Sequence, residues 1–321
     1  MDTSNTYYIL AFYIFTPIDN PEEEVRKHHR FFKTRDIRSR IYISKEGINA
    51  QMSAEKTDAL EYIDWLKSDE RFKDIDVKIH TYHEHAFPKV TVKAKEQLVA
   101  LDRKADPKEG GAHLSAEEWK KMLEQKDEDT ILIDVRNDYE WVIGHFEGAL
   151  KPELNTFRKF PEYVDKLKAE YDPKKTKVMM YCTGGIRCEL YSALMINKGF
   201  DTVYQLDGGV IKYGQKQGTD HWKGKLFVFD DRLSVPIAED GKEEIISACR
   251  YCGAASDVYY NCANMDCNEL FLSCPSCAEK NKGCCCSECE TAPHTRPFHK
   301  GEDRPKPFRK WYHYETAKRK G

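Results

Sequence analysis

Hydrophobic and polar residues alternate along the first hundred residues in a pattern of short strands and amphipathic helices. YYILAFYIF at residues 7–15 predicts a buried strand, and the proline-led segment from Pro21 predicts a helix with acids first and bases last. Two strands joined at Glu46-Gly47, a second helix and a final extended stretch follow. The order βαββαβ predicts a ferredoxin-like α+β domain. One face of its sheet is expected to be open and to carry basic and aromatic side chains.

The pattern changes after residue 110 to strict alternation of buried strands and helices. TILIDVR and KVMMY are short apolar runs typical of parallel strands, and a helix with the Ser115–Glu118 capping box precedes the first of them. This alternation predicts a doubly wound parallel sheet, which binds ligands beyond the carboxyl ends of its strands. Cys182 lies at such an end.

Cysteine content sets a third region apart. We expect a ferredoxin-like, acylphosphatase-like domain at 1–102, a doubly wound domain at 103–232, a cysteine-rich zinc-binding domain at 233–293 and a basic aromatic tail at 294–321.

Composition favours a cytoplasmic protein with no membrane segment. The 321 residues carry a net charge of -3, and the apolar run at 7–15 is too short to span a bilayer and lacks a basic leader. Ten of the twelve cysteines fall between Cys249 and Cys289, spaced as for metal rather than for disulfides. The histidines at positions 28, 29, 80, 83 and 85 have no matching cysteines, and we expect solvated side chains there.

The stretch YCTGGIRCE has the features of an anion-binding loop. Cys182 follows a strand, the loop continues through Thr183, Gly184, Gly185 and Ile186, and a helix is expected from Arg187. Inward-turned N–H groups and the helix dipole would favour a thiolate. Arg187 is placed to hold the loop carbonyls or an anionic adduct. The alternative is that Cys182 is a small buried hydrophobe.

The clustered cysteines form pairs that suit two tetrahedral, structural zinc sites. A cross-braced arrangement predicts Cys249, Cys252, Cys274 and Cys277 around one ion and Cys262, Cys267, Cys286 and Cys289 around the other. Cys284 and Cys285 are then spare, and either is an alternative to Cys286.

Three motifs stand together in residues 110–225: Asp134-Val135-Arg136, the Gly-His-x-x-Gly-Ala motif that contains His145, and the six-residue loop CTGGIR. On these motifs the region resembles a rhodanese domain. The likeness implies a reactive, persulfide-forming Cys182. With RIYISKEGINAQMS, HAFPKVTVKAKEQLV, CTGGIRCE, FVFDDRLSV and the cysteine cluster, nearly the whole chain is similar to bacterial rhodanese-domain tRNA uridine hydroxylases.

That resemblance implies an oxidoreductase that uses molecular oxygen to make 5-hydroxyuridine at the wobble position of tRNA. Cys182 and Arg187 would be catalytic, with Cys188, Asp134, Arg136 and His145 in support, although Cys188 is equally readable as a packed helix residue. No flavin, haem or nucleotide motif is visible. The rivals are a thiosulfate sulfurtransferase or persulfide carrier, and a non-catalytic zinc-bearing adaptor for RNA or protein.

The tail suits tRNA binding. Its last 27 residues hold nine Lys or Arg against three acids, interleaved with aromatic residues. Lys and Arg side chains neutralise phosphates, and aromatic side chains stack on unpaired nucleotides. The alternative is a solvated charge run.

Overall fold

A computed structural model describes residues 6–99, 101, 105–154, 159–238 and 243–298. These residues divide into two compact units. The first holds the described residues of 1–138, 146–221 and 237–238, and the second those of 139–145, 222–236 and 243–298.

The first unit begins with the predicted ferredoxin-like arrangement. Its elements are β1 (Tyr7–Phe15), α1 (Pro21–Phe32), β2 (Ile37–Ser44), β3 (Gly47–Glu55), α2 (Lys56–Lys67), β4 (Lys78–Tyr82) and β5 (Val92–Ala94). The sheet order is β4-β1-β3-β2-β5, antiparallel except for the β2–β5 pair. The βαββαβ prediction is therefore confirmed, with β5 as an addition.

Alternation along the strands separates the two faces of this sheet. Leu10, Phe12, Ile41 and Ile43 point to a buried core shared with Tyr62 of α2. Residues one position away on each strand occupy the other face.

Helix α1 corrects one expectation, because His28 is fully buried rather than solvated. Glu24, His28 and Phe32 recur every four residues and form the buried stripe of the helix. The two ring nitrogens of His28 meet the Glu24 carbonyl at 2.9 Å and the Tyr62 hydroxyl at 3.0 Å. Of the other four histidines, those at 29, 80 and 83 are exposed as expected, whereas the His85 side chain is only 6% exposed, so the expectation is wrong there too.

The remainder of the first unit is built on a parallel sheet, as predicted. Its order is β6-β10-β9-β7, and the pairs β6–β10, β10–β9 and β9–β7 are parallel. The elements of this region, in chain order, are a 3-10 turn (Pro107–Glu109), β6 (Ala112–Leu114), α3 (Ala116–Glu124), β7 (Thr130–Asp134), α4 (Asp138–Trp141), β8 (Gly144–Phe146), α5 (Phe160–Glu170), β9 (Lys177–Tyr181), α6 (Ile186–Asn197), β10 (Thr202–Leu206) and α7 (Gly209–Gln217). Residues of α4 and β8 are shared between the two units.

Among its described residues, the second unit has short elements and two small apolar clusters. Its elements are β11 (Trp222–Gly224), β12 (Leu226–Phe227), β13 (Ser234–Val235), β14 (Tyr259–Asn261), β15 (Leu270–Leu272), α8 (Pro275–Lys280) and α9 (Ser287–Glu290). One cluster centres on Phe227 and Tyr259, and the other packs Tyr260 and Phe271 against cysteines. Structure continues past the expected start of the tail, since Arg296 is buried and donates to the carbonyls of Asn261 and Cys262.

Candidate functional site

The loop that carries Cys182 lies between the end of β9 and the start of α6. Tyr181 ends the strand, and α6 begins at Ile186, one residue earlier than predicted, with Gly185 as its N-cap. Gly185 has φ +105°, and a Cβ there would lie 2.7 Å from the Tyr13 hydroxyl. Both facts require glycine at this position.

Backbone donors surround the Cys182 sulfur. The thiol is fully buried, and the Gly185 N–H donates to Sγ across 3.1 Å. Burial alone would raise the pKa of Cys182. The hydrogen bond from the Cys188 thiol, the charge of Arg187 and the N–H groups of Arg187 and Cys188 outweigh burial and lower this pKa from 9.0 to about 5. The site is therefore built for a thiolate at neutral pH.

Arg187 contributes charge from inside the loop. Its side chain is almost buried, and Nη2 donates to the Thr183 hydroxyl across 3.2 Å. Cys188 is fully buried one residue further on, and burial together with the Cys182 thiolate raises its own pKa well above the usual value. Cys188 therefore stays protonated and acts as a donor to Cys182. Gly184 and Ile186 are half-buried at the rim.

Asp134 and Arg136 support the strand that leads to Cys182. Both are buried, and Arg136 donates to the two carboxylate oxygens at 2.8 and 2.6 Å. The Tyr181 hydroxyl donates to the same carboxylate at 2.7 Å. His145 lies in the second unit, where its Nδ1 is 2.8 Å from the Trp141 carbonyl oxygen.

Eight cysteines of the second unit form two groups of four. All twelve cysteines lie in the described part of the chain and are free thiols. Within each group the sulfur atoms lie within 4.8 Å of one another; the groups are Cys249, Cys252, Cys274 and Cys277, and Cys262, Cys267, Cys285 and Cys289.

The sulfur separations fit a tetrahedral metal site. Measured Sγ–Sγ distances are 3.7 Å for Cys252–Cys274, 3.6 Å for Cys267–Cys285 and 3.8 Å for Cys285–Cys289. Four sulfurs about 2.3 Å from one zinc ion would be about 3.8 Å apart. Both groups can therefore hold such an ion.

The second group corrects the predicted Cys286 to Cys285, the alternative kept open from the sequence. Cys285 is buried, and its N–H donates to the Cys262 sulfur at 3.5 Å. Cys286 is exposed as the extended N-cap residue of α9. The Cys286 sulfur lies 3.9 Å from that of Cys285 but outside the set of four sulfurs that all lie within 4.8 Å of one another.

The chain is similar over nearly its whole length to proteins of a known family. Family models match at residues 7–98 (UPF0176 acylphosphatase-like domain), 115–216 (rhodanese-like domain) and 223–290 (rhodanase C-terminal). The chain is 52% identical to the tRNA uridine(34) hydroxylase of Protochlamydia amoebophila strain UWE25, over 96% of both chains. It is 55% identical to the one of Chlamydia muridarum, over 95% of this chain and 92% of that protein.

The chain belongs to the tRNA uridine(34) hydroxylase family. This confirms the resemblance drawn from the motifs, including the rhodanese portion around Cys182. Among the residues that the structure describes, no helix has the length and apolarity needed to cross a membrane.

Sequence reasoning missed two sets of contacts that hold the Cys182 loop. The first set comes from α7, whose Val210 and Ile211 N–H groups donate to the Cys182 and Thr183 carbonyls at 3.0 and 3.1 Å. Gly209 makes this approach possible, because a Cβ there would lie 2.5 Å from the Cys182 oxygen. The signal in the sequence is the Gly208-Gly209 pair, which by itself indicates only a turn.

The second missed support comes from the ferredoxin-like sheet. Tyr13 of β1 lies against Gly185 and donates to Glu189 of α6 at 2.9 Å. Burial and then the Glu189 charge raise the pKa of Tyr13, which keeps it protonated. No local pattern links residues 176 positions apart, so only the folded chain reveals this contact.

Proposed function

We propose that this chain hydroxylates uridine 34 of tRNA to 5-hydroxyuridine, with Cys182 as the reactive thiolate. The observation that carries this proposal is the thiolate cradle itself, a buried sulfur with a pKa lowered to about 5 by donors of its own loop. Relatives that share more than half of their residues with this chain bear the name of that reaction.

The first chemical step follows from the nucleophile. The Cys182 thiolate adds its electron pair to C6 of the uracil ring, and the electrons of the C5–C6 double bond move toward C5 and O4. Carbon C5 thereby becomes nucleophilic, as formation of a C–O bond there requires. Cys188, kept protonated, and Arg187 stabilise the sulfur before attack and as it leaves.

Molecular oxygen is the proposed donor of the new oxygen atom. Converting a C–H bond to C–OH with O₂ consumes two electrons and two protons and releases water, so a reductant of the thiol or hydride class must also take part. The sulfur is regenerated when the C5 proton leaves and the C5–C6 double bond re-forms.

The polar face of the ferredoxin-like sheet is the proposed surface for the anticodon arm. Strand register places Lys93, Tyr42, Asn49 and Tyr13 in one row across β5, β2, β3 and β1. Lys93 is exposed and Tyr42 is half-buried, while Tyr13 ends the row at the Cys182 loop. Basic side chains in such a row can contact phosphates, and aromatic side chains can stack on unstacked nucleotides. The tail at residues 299–321, expected to assist, lies outside the described residues.

Zinc at both cysteine groups is proposed as structural. Four thiolates fill a tetrahedral ion and leave no position for substrate. The ions would add stability to a unit whose apolar clusters are small.

An isotope experiment tests the reaction. Purified protein, tRNA and a thiol reductant are incubated under oxygen gas enriched in the heavy isotope, and the nucleosides are analysed by mass spectrometry. Heavy 5-hydroxyuridine supports the proposal. Product carrying oxygen from water, or a thiolated base instead, would exclude it.

A further inference from the structure

Lys78, in β4 of the ferredoxin-like sheet, is a buried amine whose only partners, among the residues that the structure describes, are Asp76 in a long ion pair and the Tyr13 ring. The residue is 8% exposed, and within the described chain its Nζ makes no hydrogen bond. The nearest carboxylate oxygen, on Asp76, is 3.9 Å away. Lysine is rarely buried without a close partner, and a 3.9 Å ion pair to an exposed carboxylate leaves this ammonium free to donate to a further acceptor.

Contacts on both sides of Lys78 fix it near the Cys182 loop. Asp76 accepts from Lys212 of α7 at 3.3 Å, and the Ile79 carbonyl accepts from Gln215 of the same helix at 3.1 Å. The first turn of α7 in turn donates to the Cys182 and Thr183 carbonyls. One helix thus anchors both the strand that carries Lys78 and the loop that carries the thiolate.

Tyr13 contacts both Lys78 and the Cys182 loop. Lys78 pairs with Ala11 on β1, so Lys78 and Tyr13 are diagonal neighbours on one face, and Nζ lies 5.6 Å from the Tyr13 ring centroid. The Tyr13 hydroxyl lies against Gly185, which donates to the Cys182 sulfur. Burial lowers the pKa of Lys78, while Asp76 and the Cys182 thiolate act in the opposite direction. Lys78 and the Cys182 loop therefore both contact the same tyrosine.

We propose that Lys78 is a catalytic residue that donates a hydrogen bond to O4 of the substrate uracil. This inference rests on the proposed function. When the thiolate forms the S–C6 bond, the C5–C6 electron pair is conjugated through C4 onto O4 and not onto O2. A buried ammonium beside O4 stabilises that charge, and no atom beyond substrate and sulfur is needed for the step.

A base oxygen fits this position better than a backbone phosphate. Phosphates are contacted by exposed basic side chains such as Lys93, because these side chains can move in solvent with the RNA backbone. A single buried ammonium beside a tyrosine ring is placed to donate to the edge of a flat group. Its contribution should therefore appear in the chemical step rather than in tRNA binding.

The test compares Lys78→Met and Lys78→Arg with Lys73→Met, a control on the same domain whose amine is exposed and pairs with Glu70. We expect Lys78→Met to lower the rate of 5-hydroxyuridine formation at saturating tRNA on the order of 10²-fold, as for loss of one oxyanion donor. Lys78→Arg should recover part of the rate, and Lys73→Met should match wild type. Affinity for tRNA and its salt dependence should not change in any variant.

Weaker tRNA binding with a flatter salt dependence and a normal saturating rate would overturn the inference in favour of a phosphate contact. An unchanged rate in Lys78→Met would also overturn it, with the hydroxylase function intact. Failure of the wild type to make 5-hydroxyuridine would instead refute the proposed function. Thermal unfolding of each variant shows whether a lost rate reflects a lost fold, and in that case Lys78→Gln replaces Lys78→Met.

Discussion

The backbone N–H of Gly185 donates a hydrogen bond to the Cys182 sulfur across 3.1 Å. This contact joins the start of a helix to the reactive atom, so the conformation of the loop and the ionisation of the thiol depend on each other. Gly185 adopts φ +105° to make the contact, with the Tyr13 hydroxyl closing the space where a side chain would go.

Replacing the loop glycines should separate these effects. Gly185→Ala forces a Cβ into positive φ and against Tyr13, and we expect it to lower the free energy of unfolding by about 1–3 kcal/mol. Gly184→Ala is the matched control, because its Cβ would meet no described heavy atom within 4 Å, and it should change stability by less than about 0.5 kcal/mol. Urea unfolding measures both. Equal stability of the two variants would show that the Tyr13 contact does not constrain the loop.

Removing the charge of Arg187 should change the pH dependence of Cys182 alkylation. The thiolate is the reactive form, so with a pKa of about 5 the wild-type rate rises through that pH and is level at neutral pH. Arg187→Ala loses a nearby cation, which favours the protonated thiol, and the midpoint should move to higher pH.

Arg187→Lys keeps the charge and is the control, with a midpoint closer to wild type. The rate is followed at Cys182 by peptide mass spectrometry with a small alkylating reagent, because other cysteines also react. An identical profile for wild type and Arg187→Ala would mean that Arg187 does not tune the thiol.

Metal analysis tests the two cysteine groups. Protein purified without chelator should carry about two zinc ions per chain. Cys285→Ser should lose about one of them, whereas Cys286→Ser, at the exposed neighbouring position, should keep both. Loss of zinc from Cys286→Ser but not from Cys285→Ser would restore the assignment made from the sequence.

The tail should contribute to tRNA binding through charge and stacking. Residues 299–321 hold eight Lys or Arg, and deleting them should weaken binding and flatten its salt dependence, because fewer counterions are released. Replacing Phe308, Trp311, Tyr312 and Tyr314 should weaken binding with the salt dependence kept. The deletion starts after Phe298 because Arg296 belongs to the folded cysteine-rich unit. Unchanged affinity and salt dependence would make the tail a solvated extension.

Local sequence patterns were sufficient to predict the helices and strands and to identify Cys182 as the candidate nucleophile. Short apolar runs located β1, β7 and β9, and Pro21 with the acid-to-base charge order located α1. The Cys-x-Gly-Gly spacing located the anion-binding loop, because all these features depend on neighbouring residues. Contacts between distant segments were not predictable in this way. The supports from Tyr13 and α7 depend on how strands and helices meet, and the buried His28 depends on which stripe of α1 faces the core.

The choice between Cys285 and Cys286 was beyond sequence reasoning for a related reason. Spacing limits which thiols can share an ion, but three consecutive cysteines satisfy the spacing almost equally. The separations of the sulfur atoms in the folded chain decide the group, and they include Cys285 and leave out Cys286 at the N-cap of α9.

We expect Cys182 to be the residue that performs the hydroxylation of tRNA. Bacterial cells that lack their own enzyme are supplied with the wild-type gene or with Cys182→Ser, and their tRNA nucleosides are quantified by mass spectrometry. The serine hydroxyl is nearly isosteric but does not ionise near neutral pH, so the fold should remain and activity should vanish. We predict that 5-hydroxyuridine derivatives return with the wild-type gene and stay absent with Cys182→Ser. Full restoration by Cys182→Ser would show that the thiolate is not required, and restoration of thiolated bases alone by the wild type would show that the reaction is sulfur transfer.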